Sequence, residues 1–447
     1  MNKNLFLTLS AFLFLFPLSG KATGTYRPET SVAGFIQLPG SGRQVYDFNP
    51  GWRFFKGDIS GAETVNFDDR SWEVVSTPHT VELMPAEASG CRNYQGPVWY
   101  RKHFVVPAET KGQRVSIHFE AAMGKQILYL NGKRIQEHIG GYLPFTLDLT
   151  TYGVQAGDSC LLAVFADNSD DKSYPPGKRQ YTLDFTYHGG IYRDVWMIAK
   201  SPISITDAIE SQTVAGGGVF VHFDQISEKS AQVCVNTEVQ NENTRSESVI
   251  VETTLTDADG KIIRRISGKL SLQSGEKKII RQQMEVKNPK LWSPDTPYLY
   301  RVQSRLKKGD QSIDGGITRV GIRLAEFHGK DGFWLNGKPF GQLVGANRHQ
   351  DFAYVGNALP NSQQWRDAKR LRDAGCTIIR TAHYPQDPSF MDACDELGLF
   401  VIVATPGWQY WNKDLQFGEL VHRNTREMIR RDRNHPSIFC WSIGNEV

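Results

Sequence analysis

Cysteine is scarce in this sequence, with six residues over 447 positions: Cys91, Cys160, Cys234, Cys376, Cys394 and Cys440. They form no CxxC pair and no Cys/His cluster along the chain, so the sequence predicts neither a disulfide scaffold nor a structural zinc site. We expect most of them to be buried free thiols, which pack as small hydrophobic residues.

An excess of charge of one sign is also lacking. Lys and Arg total 51 against 48 Asp and Glu, which leaves a formal net charge of +3. Without a basic stripe, nucleic acid is not predicted as a partner. Aromatic residues make up 11% of the chain. They suit the cores of large β-domains, which is the favoured interpretation, and also stacking on sugar rings.

One long apolar run occurs, at residues 5–18 (LFLTLSAFLFLFPL), between Lys3 and the small residues Gly20 and Ala22. This order is typical of a signal peptide. The run is shorter than the roughly 20 apolar residues that cross a bilayer. We therefore expect residues 1–22 to be a signal peptide, the protein to be periplasmic or secreted, and no membrane association after cleavage. No cysteine lies near the cleavage point, so a lipid anchor is not expected.

Two β-rich regions follow. Residues 23–200 read as short strands broken by Gly, Pro, Asn and Asp, with Asn131-Gly132 as a tight hairpin signal. This region predicts a β-sandwich of jelly-roll character. Residues 201–325 contain segments of period two, such as GVFVHFD and AQVCVNTEV. Their number and spacing predict an immunoglobulin-like β-sandwich.

From residue 326 the pattern changes to strands that alternate with helices. The predicted strands are 340–347, 376–382, 399–405 and 437–444, and the predicted helices are 362–375, 388–397 and 417–433. Asn361 and Gly375 are expected to cap the first helix, and Asp387 and Gly398 the second. Apolar strands in this order predict a parallel sheet covered on both faces. A (β/α)8 barrel and a doubly wound sheet both fit, although no GxGxxG follows the first strand, which disfavours dinucleotide binding.

Polar or aromatic residues follow each of these four strands, at the strand end where barrel active sites form. The segments are NRHQD (347–351), HYP (383–385), PGWQ (406–409) and NE (445–446). Loops are polar in general, but four such segments at one end of a sheet favour a pocket for a hydroxyl-rich ligand.

Glu446 directly follows the apolar run IFCWSIG. We expect its carboxyl group at the mouth of a half-buried pocket, since burial favours the protonated form that can donate to a glycosidic oxygen. An ordinary surface glutamate is the alternative. Asn445 either binds a sugar hydroxyl or caps a turn. His349 and His383 are interpreted as pocket-lining residues rather than zinc ligands, because no third ligand stands at a recognisable spacing. Arg380 is expected to pair with a carboxylate inside the barrel.

Several longer motifs run through the chain: WYRK (99–102), YLNGK (129–133), GGIYR (189–193), LWSP (291–294), GIR (321–323), GANRHQD (345–351), RTAHYPQDPSFMDACDELG (380–398), RDRNHPSI (431–438) and WSIGNE (441–446). On these motifs the chain resembles glycoside hydrolase family 2, especially secreted β-galactosidase-like members from bacteria. The resemblance covers nearly all of the chain after the signal peptide. It implies a jelly-roll sugar-binding domain (23–200), an immunoglobulin-like β-sandwich (201–325) and the N-terminal half, strands one to four, of a (β/α)8 TIM barrel (326–447).

The resemblance also implies roles for particular residues. Glu446 matches the acid/base of the family, and Asn445, His349 and His383 match sugar-binding positions. Asp184, six residues before Gly190, matches an acidic residue that the first domain contributes to the galactose site.

The resemblance leaves the metal content open. Many β-galactosidases carry a metal-binding glutamate after strand three, whereas this segment reads VATPGW (403–408). Mg²⁺ or Na⁺ therefore has no recognised ligand, and no residue is assigned to a metal or other cofactor. Trp408 is expected to stack on a sugar instead.

The family's nucleophile is a second glutamate on a later barrel strand, and it has no counterpart up to Val447. We therefore expect the 447-residue chain to be an inactive fragment of a retaining exo-glycosidase of the β-galactosidase type, whose substrate is an oligosaccharide or glycoside. A β-glucuronidase or β-mannosidase of the same family remains an alternative. A non-catalytic carbohydrate-binding protein is an alternative of a different class. The oligomeric state is left open.

Overall fold

The computed structural model describes residues 31–32, 34–85 and 93–447. The predicted signal peptide and Cys91 lie outside these residues. Within them, no helix has both the length and the apolarity needed to cross a bilayer. The described cysteines are free thiols, with Cys160, Cys234 and Cys394 buried and Cys376 and Cys440 partly buried, as the sequence predicts.

The first domain is a β-sandwich built from two antiparallel sheets, with order β1-β10-β5-β8 in one and β3-β2-β4-β9-β6-β7 in the other. Its strands are β1 (Gln44–Asp47), β2 (Trp52–Lys56), β3 (Glu73–Val75), β4 (Pro97–Val105), β5 (Arg114–Phe119), β6 (Lys125–Leu130), β7 (Lys133–Ile139), β8 (Phe145–Asp148), β9 (Ser159–Asp167) and β10 (Val195–Lys200). Inward residues of both sheets, among them Trp52, Ile117 and Leu162, form one buried core. Asn131 and Gly132 link β6 to β7 with φ angles of 51° and 83°, so the predicted tight hairpin is confirmed.

The second domain is a smaller sandwich, as predicted. One sheet runs β11-β13-β12 with β16 also paired to β13, and the other runs β15-β14-β17-β18. The strands are β11 (Ile203–Ile205), β12 (Val219–Asp224), β13 (Ser230–Asn241), β14 (Glu247–Thr256), β15 (Ile262–Leu272), β16 (Lys277–Lys287), β17 (Tyr300–Lys308) and β18 (Gln311–Val320). Their alternating apolar residues, such as Val233 and Val302, meet between the sheets.

A short antiparallel sheet, β19 (Ala325–Phe327), β20 (Phe333–Leu335) and β21 (Lys338–Pro339), leads into the third domain. There strands and helices alternate as β22 (Gly345–Arg348), α1 (Asn361–Asp373), β23 (Ile378–Thr381), α2 (Pro388–Leu397), β24 (Phe400–Ala404), α3 (Leu415–Asp432) and β25 (Ile438–Ser442). The strands are parallel and lie in sequence order, β22-β23-β24-β25. A doubly wound sheet would reverse its order at a switch point. The described strands therefore form part of a (β/α)8 barrel.

Two local predictions in this domain are wrong. The first barrel strand was expected to be buried over 340–347, but β22 begins at Gly345, and its residues up to Asn347 are exposed. Among the described strands β22 pairs on one side only, with β23, so little packs against it. Asn361 does not cap α1 but is its first residue, after Pro360. Its side chain instead donates a 2.9 Å hydrogen bond to the largely buried Asp194 of the first domain.

The other predicted caps are confirmed. The side chain of Asp387 accepts a 2.8 Å hydrogen bond from the backbone N–H of Ser389 at the start of α2. Gly398 ends this helix in the left-handed conformation, at φ 71°. Gly375, at φ 90°, follows the last turn of α1 in the same way.

Contacts between domains fix the barrel portion against both sandwiches. Arg193 of the first domain is buried and donates to the side chain of Gln350 at 3.0 Å and to the carbonyl of Pro385 at 2.9 Å. Trp292 of the second domain is fully buried, packs against Phe400 and donates to the carbonyl of Asp395 at 2.9 Å. The first domain therefore lies directly against the segments that follow β22 and β23.

Candidate active site

The carboxyl ends of the four parallel strands carry the residues that the sequence predicts for a sugar site. His349 follows β22, His383 follows β23, Trp408 follows β24, and Asn445 and Glu446 follow β25. Because the strands are parallel and adjacent, these ends share one edge of the sheet. The first domain adds Asp184 and Phe185 from the loop before β10.

Asp184, His349 and His383 meet in space, with one potential ligand atom from each within 4.8 Å of the others. The two imidazole rings are 5.6 Å apart between centroids and inclined by 78°. His383 is buried, whereas Asp184 is exposed. Such a set of atoms could hold a metal ion as well as sugar hydroxyl groups. The sequence alone gave no third ligand beside the histidines, and the fold supplies one from another domain.

Aromatic rings line one side of these residues. Phe185 stacks on His349, with ring centroids 5.4 Å apart and an interplanar angle of 19°. Trp408 is nearly parallel to His383 at a centroid distance of 6.4 Å. The Nζ atom of Lys178 lies 3.8 Å from the centroid of the Trp408 ring. Trp408 is buried, so stacking of this ring on a sugar stays a prediction and requires Lys178 to move.

Among the described residues, Arg380 is hydrogen-bonded to an amide oxygen rather than paired with a carboxylate, contrary to the prediction. Its Nη2 donates a 2.6 Å hydrogen bond to the side-chain oxygen of Asn445, and its Nη1 lies 3.3 Å from Nδ1 of His383. Arg380 belongs to β23 and Asn445 follows β25, on the two sides of β24. The guanidinium therefore reaches over the end of β24, where the amide oxygen of Asn445 is the acceptor that it meets.

Glu446 is exposed, so the expectation of a half-buried carboxyl group is wrong. Its Oε2 accepts a hydrogen bond from Nε2 of Gln409. The backbone N–H of Gln409 in turn donates to the carbonyl of Asn445 at 3.0 Å. Glu446 lies beyond the last residue of β25. Among the described residues, only the segment after β24 hydrogen-bonds to its carboxylate. Its side chain is exposed because little else packs against it.

Burial favours the neutral form of both histidines by lowering the pKa of each. Burial is the largest cause that lowers the pKa of His383, to about 4, and the Arg380 guanidinium lowers it further. Burial also lowers the pKa of His349, although Asp184 opposes this effect. A neutral imidazole has one donor and one acceptor nitrogen. Both rings can therefore exchange hydrogen bonds with hydroxyl groups without adding a positive charge.

Three further residues belong to the site but were assigned no individual role from the sequence. The hydroxyl group of Tyr384 lies 3.3 Å from Nδ1 of His349. Lys178 donates to the side chain of Gln409 at 2.5 Å, which links the first domain to the residue that holds Glu446. Gln409 is part of the PGWQ segment, so its position was visible in the sequence. Lys178 lies in an irregular loop of another domain, and no local pattern indicates its place.

Models of a single family match most of the chain. The sugar binding domain of "Glycosyl hydrolases family 2" matches residues 62–202. A second model, named "Glycosyl hydrolases family 2", matches residues 217–323. A third model, for the TIM barrel domain of the same family, matches residues 328–447.

Named relatives include enzymes of two specificities. A β-galactosidase of Thermoanaerobacter pseudethanolicus is 36% identical over 403 residues, which are 90% of this chain and 52% of the relative. A β-glucuronidase of Formosa agariphila is 31% identical over 427 residues, covering 91% of this chain and 42% of the relative. A solved structure of Bacteroides uniformis β-glucuronidase has a TM-score of 0.80 at 31% identity, with 90% of this chain and 47% of that chain covered. The chain spans about half the length of the relatives that it matches.

Proposed function

Because this chain belongs to glycoside hydrolase family 2, we propose that the protein is a retaining exo-glycosidase of the β-galactosidase type that hydrolyses O-glycosidic bonds of an oligosaccharide or glycoside. The observation that carries the proposal is the position of Asn445 and Glu446 at the end of β25, on the same sheet edge as His349 and His383. A signal peptide at residues 1–22 would place the protein in the periplasm or outside the cell.

Glu446 is the proposed acid/base. Gln409 holds its Oε2 by a hydrogen bond, which leaves Oε1 to deliver a proton to the glycosidic oxygen and to take one from water in the second step. The exposed position of this carboxylate suits a group that has to meet an incoming substrate.

Asn445 is proposed to bind a sugar hydroxyl group. Arg380 occupies its side-chain oxygen at 2.6 Å, so the amide NH₂ remains as the donor toward a ligand. The neutral imidazoles of His349 and His383 and the carboxylate of Asp184 offer further acceptors and donors in the same place. A hydroxyl-rich ring matches this mixture of groups.

A retaining mechanism also needs a nucleophilic carboxylate about 5–5.5 Å from the acid/base. The family resemblance places this glutamate on a later barrel strand than the four that the structure describes. No described residue is therefore assigned to the role.

A β-glucuronidase is a second candidate, and Lys178 favours it. Its ammonium group lies beside Trp408 and Gln409 at the edge of the site. A cation in this position would pair with the carboxylate of a uronic acid. Relatives named as β-glucuronidases include those from Formosa agariphila and Bacteroides uniformis.

The test compares hydrolysis of 4-nitrophenyl β-galactoside and 4-nitrophenyl β-glucuronide by the protein expressed from its complete reading frame. Glu446→Gln should lower kcat by about 10²- to 10⁴-fold, the usual contribution of general acid–base catalysis. Glu419→Gln is the matched control, because Glu419 is an exposed carboxylate on α3 and should not matter.

Full activity of the Glu446→Gln variant, or no turnover of either glycoside by the unaltered protein, would refute the proposal. Two results together would establish the second candidate instead. The unaltered protein would prefer the glucuronide, and Lys178→Met would remove this preference by raising the KM for the glucuronide.

A further inference from the structure

A second cluster of potential ligands lies in the immunoglobulin-like domain, apart from the candidate active site. His222, Asp224 and Cys234 each place one nitrogen, oxygen or sulfur atom within 4.8 Å of the others. His222 and Asp224 belong to β12 and Cys234 to β13. Neither the family models nor the proposed hydrolysis gives these residues a role.

Strand register explains why the three side chains meet. His222 and Cys234 are direct partners in the antiparallel pair of β12 and β13. Asp224 is two residues beyond His222, so it points to the same face of the sheet. Their neighbours Val221, Val233 and Val235 point to the other face, into the core of the domain. The cluster thus lies on the face of the sheet turned away from the sandwich core.

The distances fit a small tetrahedral metal ion. Sγ of Cys234 is 3.3 Å from Oδ2 of Asp224, and Nε2 of His222 is 4.0 Å from the same oxygen. Zinc bonds of about 2.0–2.3 Å at tetrahedral angles put ligand atoms roughly 3.3–3.6 Å apart. The first distance already matches this range, and the second requires a shift of roughly half an ångström.

The state of the side chains points to a ligand as well. Nε2 of His222 is the nitrogen that faces Asp224, and Nδ1, which has no hydrogen-bond partner among the described residues, can keep the ring proton while Nε2 binds a metal. Cys234 is a buried free thiol, and Asp224 is 55% exposed. An imidazole whose Nε2 faces Asp224, a free thiol and a carboxylate open to solvent give three ligands and an entry path. Sulfur and nitrogen donors favour zinc over Mg²⁺ or Ca²⁺, which take oxygen ligands.

We propose that His222, Asp224 and Cys234 bind one Zn²⁺ ion, with water as the fourth ligand. The Cys234 thiol, which donates to Asp224 in the structure, loses its proton to solvent, and the thiolate binds the metal. The ion links β12, which pairs with β13 alone among the described strands, to this neighbour. Since β12 is also bonded to Asn434 after α3, the site would stabilise the sandwich where it contacts the barrel portion.

The experiment titrates the metal-free 447-residue chain with CoCl₂, a spectroscopic substitute for zinc, and then displaces the cobalt with ZnCl₂. We expect a sulfur-to-cobalt charge-transfer band in the near ultraviolet that saturates at one equivalent. Cys234→Ser should abolish the band. His222→Asn should weaken cobalt binding by at least about tenfold. Loss of a residue that only supports a ligand already costs about this much, so loss of a ligand should cost no less.

Cys160→Ser is the matched control, because Cys160 is another buried free thiol and belongs to neither ligand cluster of the described residues. Cobalt bound by Asp184, His349 and His383 would give no sulfur band, so the two sites are distinguished. No sulfur band in the unaltered chain, or a band that survives Cys234→Ser, would overturn the proposal. If circular dichroism shows that Cys234→Ser does not fold, Asp224→Asn, at the exposed ligand, is used instead. This variant should bind cobalt at least about tenfold more weakly than the unaltered chain, and unchanged affinity would overturn the proposal.

Discussion

Arg380 on β23 donates a 2.6 Å hydrogen bond to the side-chain oxygen of Asn445, which follows β25, two strands away in the sheet order. The same guanidinium lies 3.3 Å from Nδ1 of His383. One cation therefore orients two of the residues that the sequence predicts for sugar binding. It also keeps His383 neutral, because its charge adds to burial in lowering the pKa of this imidazole.

Replacing Arg380 by lysine tests this arrangement. A lysine keeps the charge but cannot reach Asn445 and His383 with one planar group. Loss of a hydrogen bond to a charged group, about 1.5–3 kcal/mol, corresponds to roughly a 10- to 100-fold fall in kcat/KM for the preferred nitrophenyl glycoside. Arg366→Lys on the exposed face of α1 is the control. Equal kcat/KM values for Arg380→Lys and the unaltered enzyme would show that Arg380 does not position the site.

Trp292 should be a main source of stability where the second domain meets the barrel portion. It is fully buried, and its indole nitrogen donates to the carbonyl of Asp395. Trp292→Ala leaves a large cavity and an unpaired carbonyl, so we expect a loss of about 3–5 kcal/mol in the free energy of unfolding. Trp411→Ala is the comparison, since Trp411 is 54% exposed and its loss should cost no more than about 0.5 kcal/mol. Urea unfolding followed by circular dichroism measures both, and equal losses would contradict the prediction.

His435 should make stability depend on pH above neutrality. Burial lowers its pKa, but Asp395, whose Oδ2 is 2.6 Å from Nδ1, outweighs burial and raises the pKa from 6.5 to about 9. Because the folded protein holds the proton more tightly than the unfolded chain, this stabilisation is complete below about pH 6.5 and is lost as the pH rises to 9.

A difference measurement isolates the effect of His435 from that of other titrating groups. The stability advantage of the unaltered chain over His435→Gln should shrink by about 3 kcal/mol between pH 6 and pH 10. Urea unfolding at a series of pH values measures this difference. A constant advantage across the series would mean that Asp395 does not hold the proton on His435.

Local patterns predicted much of the architecture. The Asn131-Gly132 turn, the cap at Asp387 and the glycine at 398 are each set by the conformational preference of one or two residues, and all were found where the sequence placed them. The start and the burial of β22 were predicted wrongly, because burial of a strand depends on what packs against it. Asn361 was expected to cap a helix, but the carboxylate of Asp194, from another domain, binds its side chain instead.

Long-range contacts decided the details of both candidate sites. The sequence placed His349, His383, Asn445 and Glu446 at strand ends, because strand limits follow from apolar runs. It did not show that Arg380 binds Asn445, or that Gln409 holds an exposed Glu446, since these contacts join segments from different strands. His222, Asp224 and Cys234 look unrelated along the chain and become neighbours only through the register of β12 and β13.

The sequence by itself determined the order of two β-sandwiches and a βα-repeat, and the strand ends at which polar residues collect. Hydrophobic periodicity, turn residues and helix caps are local properties, and they favour a strand, turn or helix whatever the distant segments do. Only the tertiary structure decided which side chains share a site, how far each is exposed and which partner each one binds. Those outcomes depend on packing between domains and on strand register, and both are fixed by contacts between residues far apart in the chain.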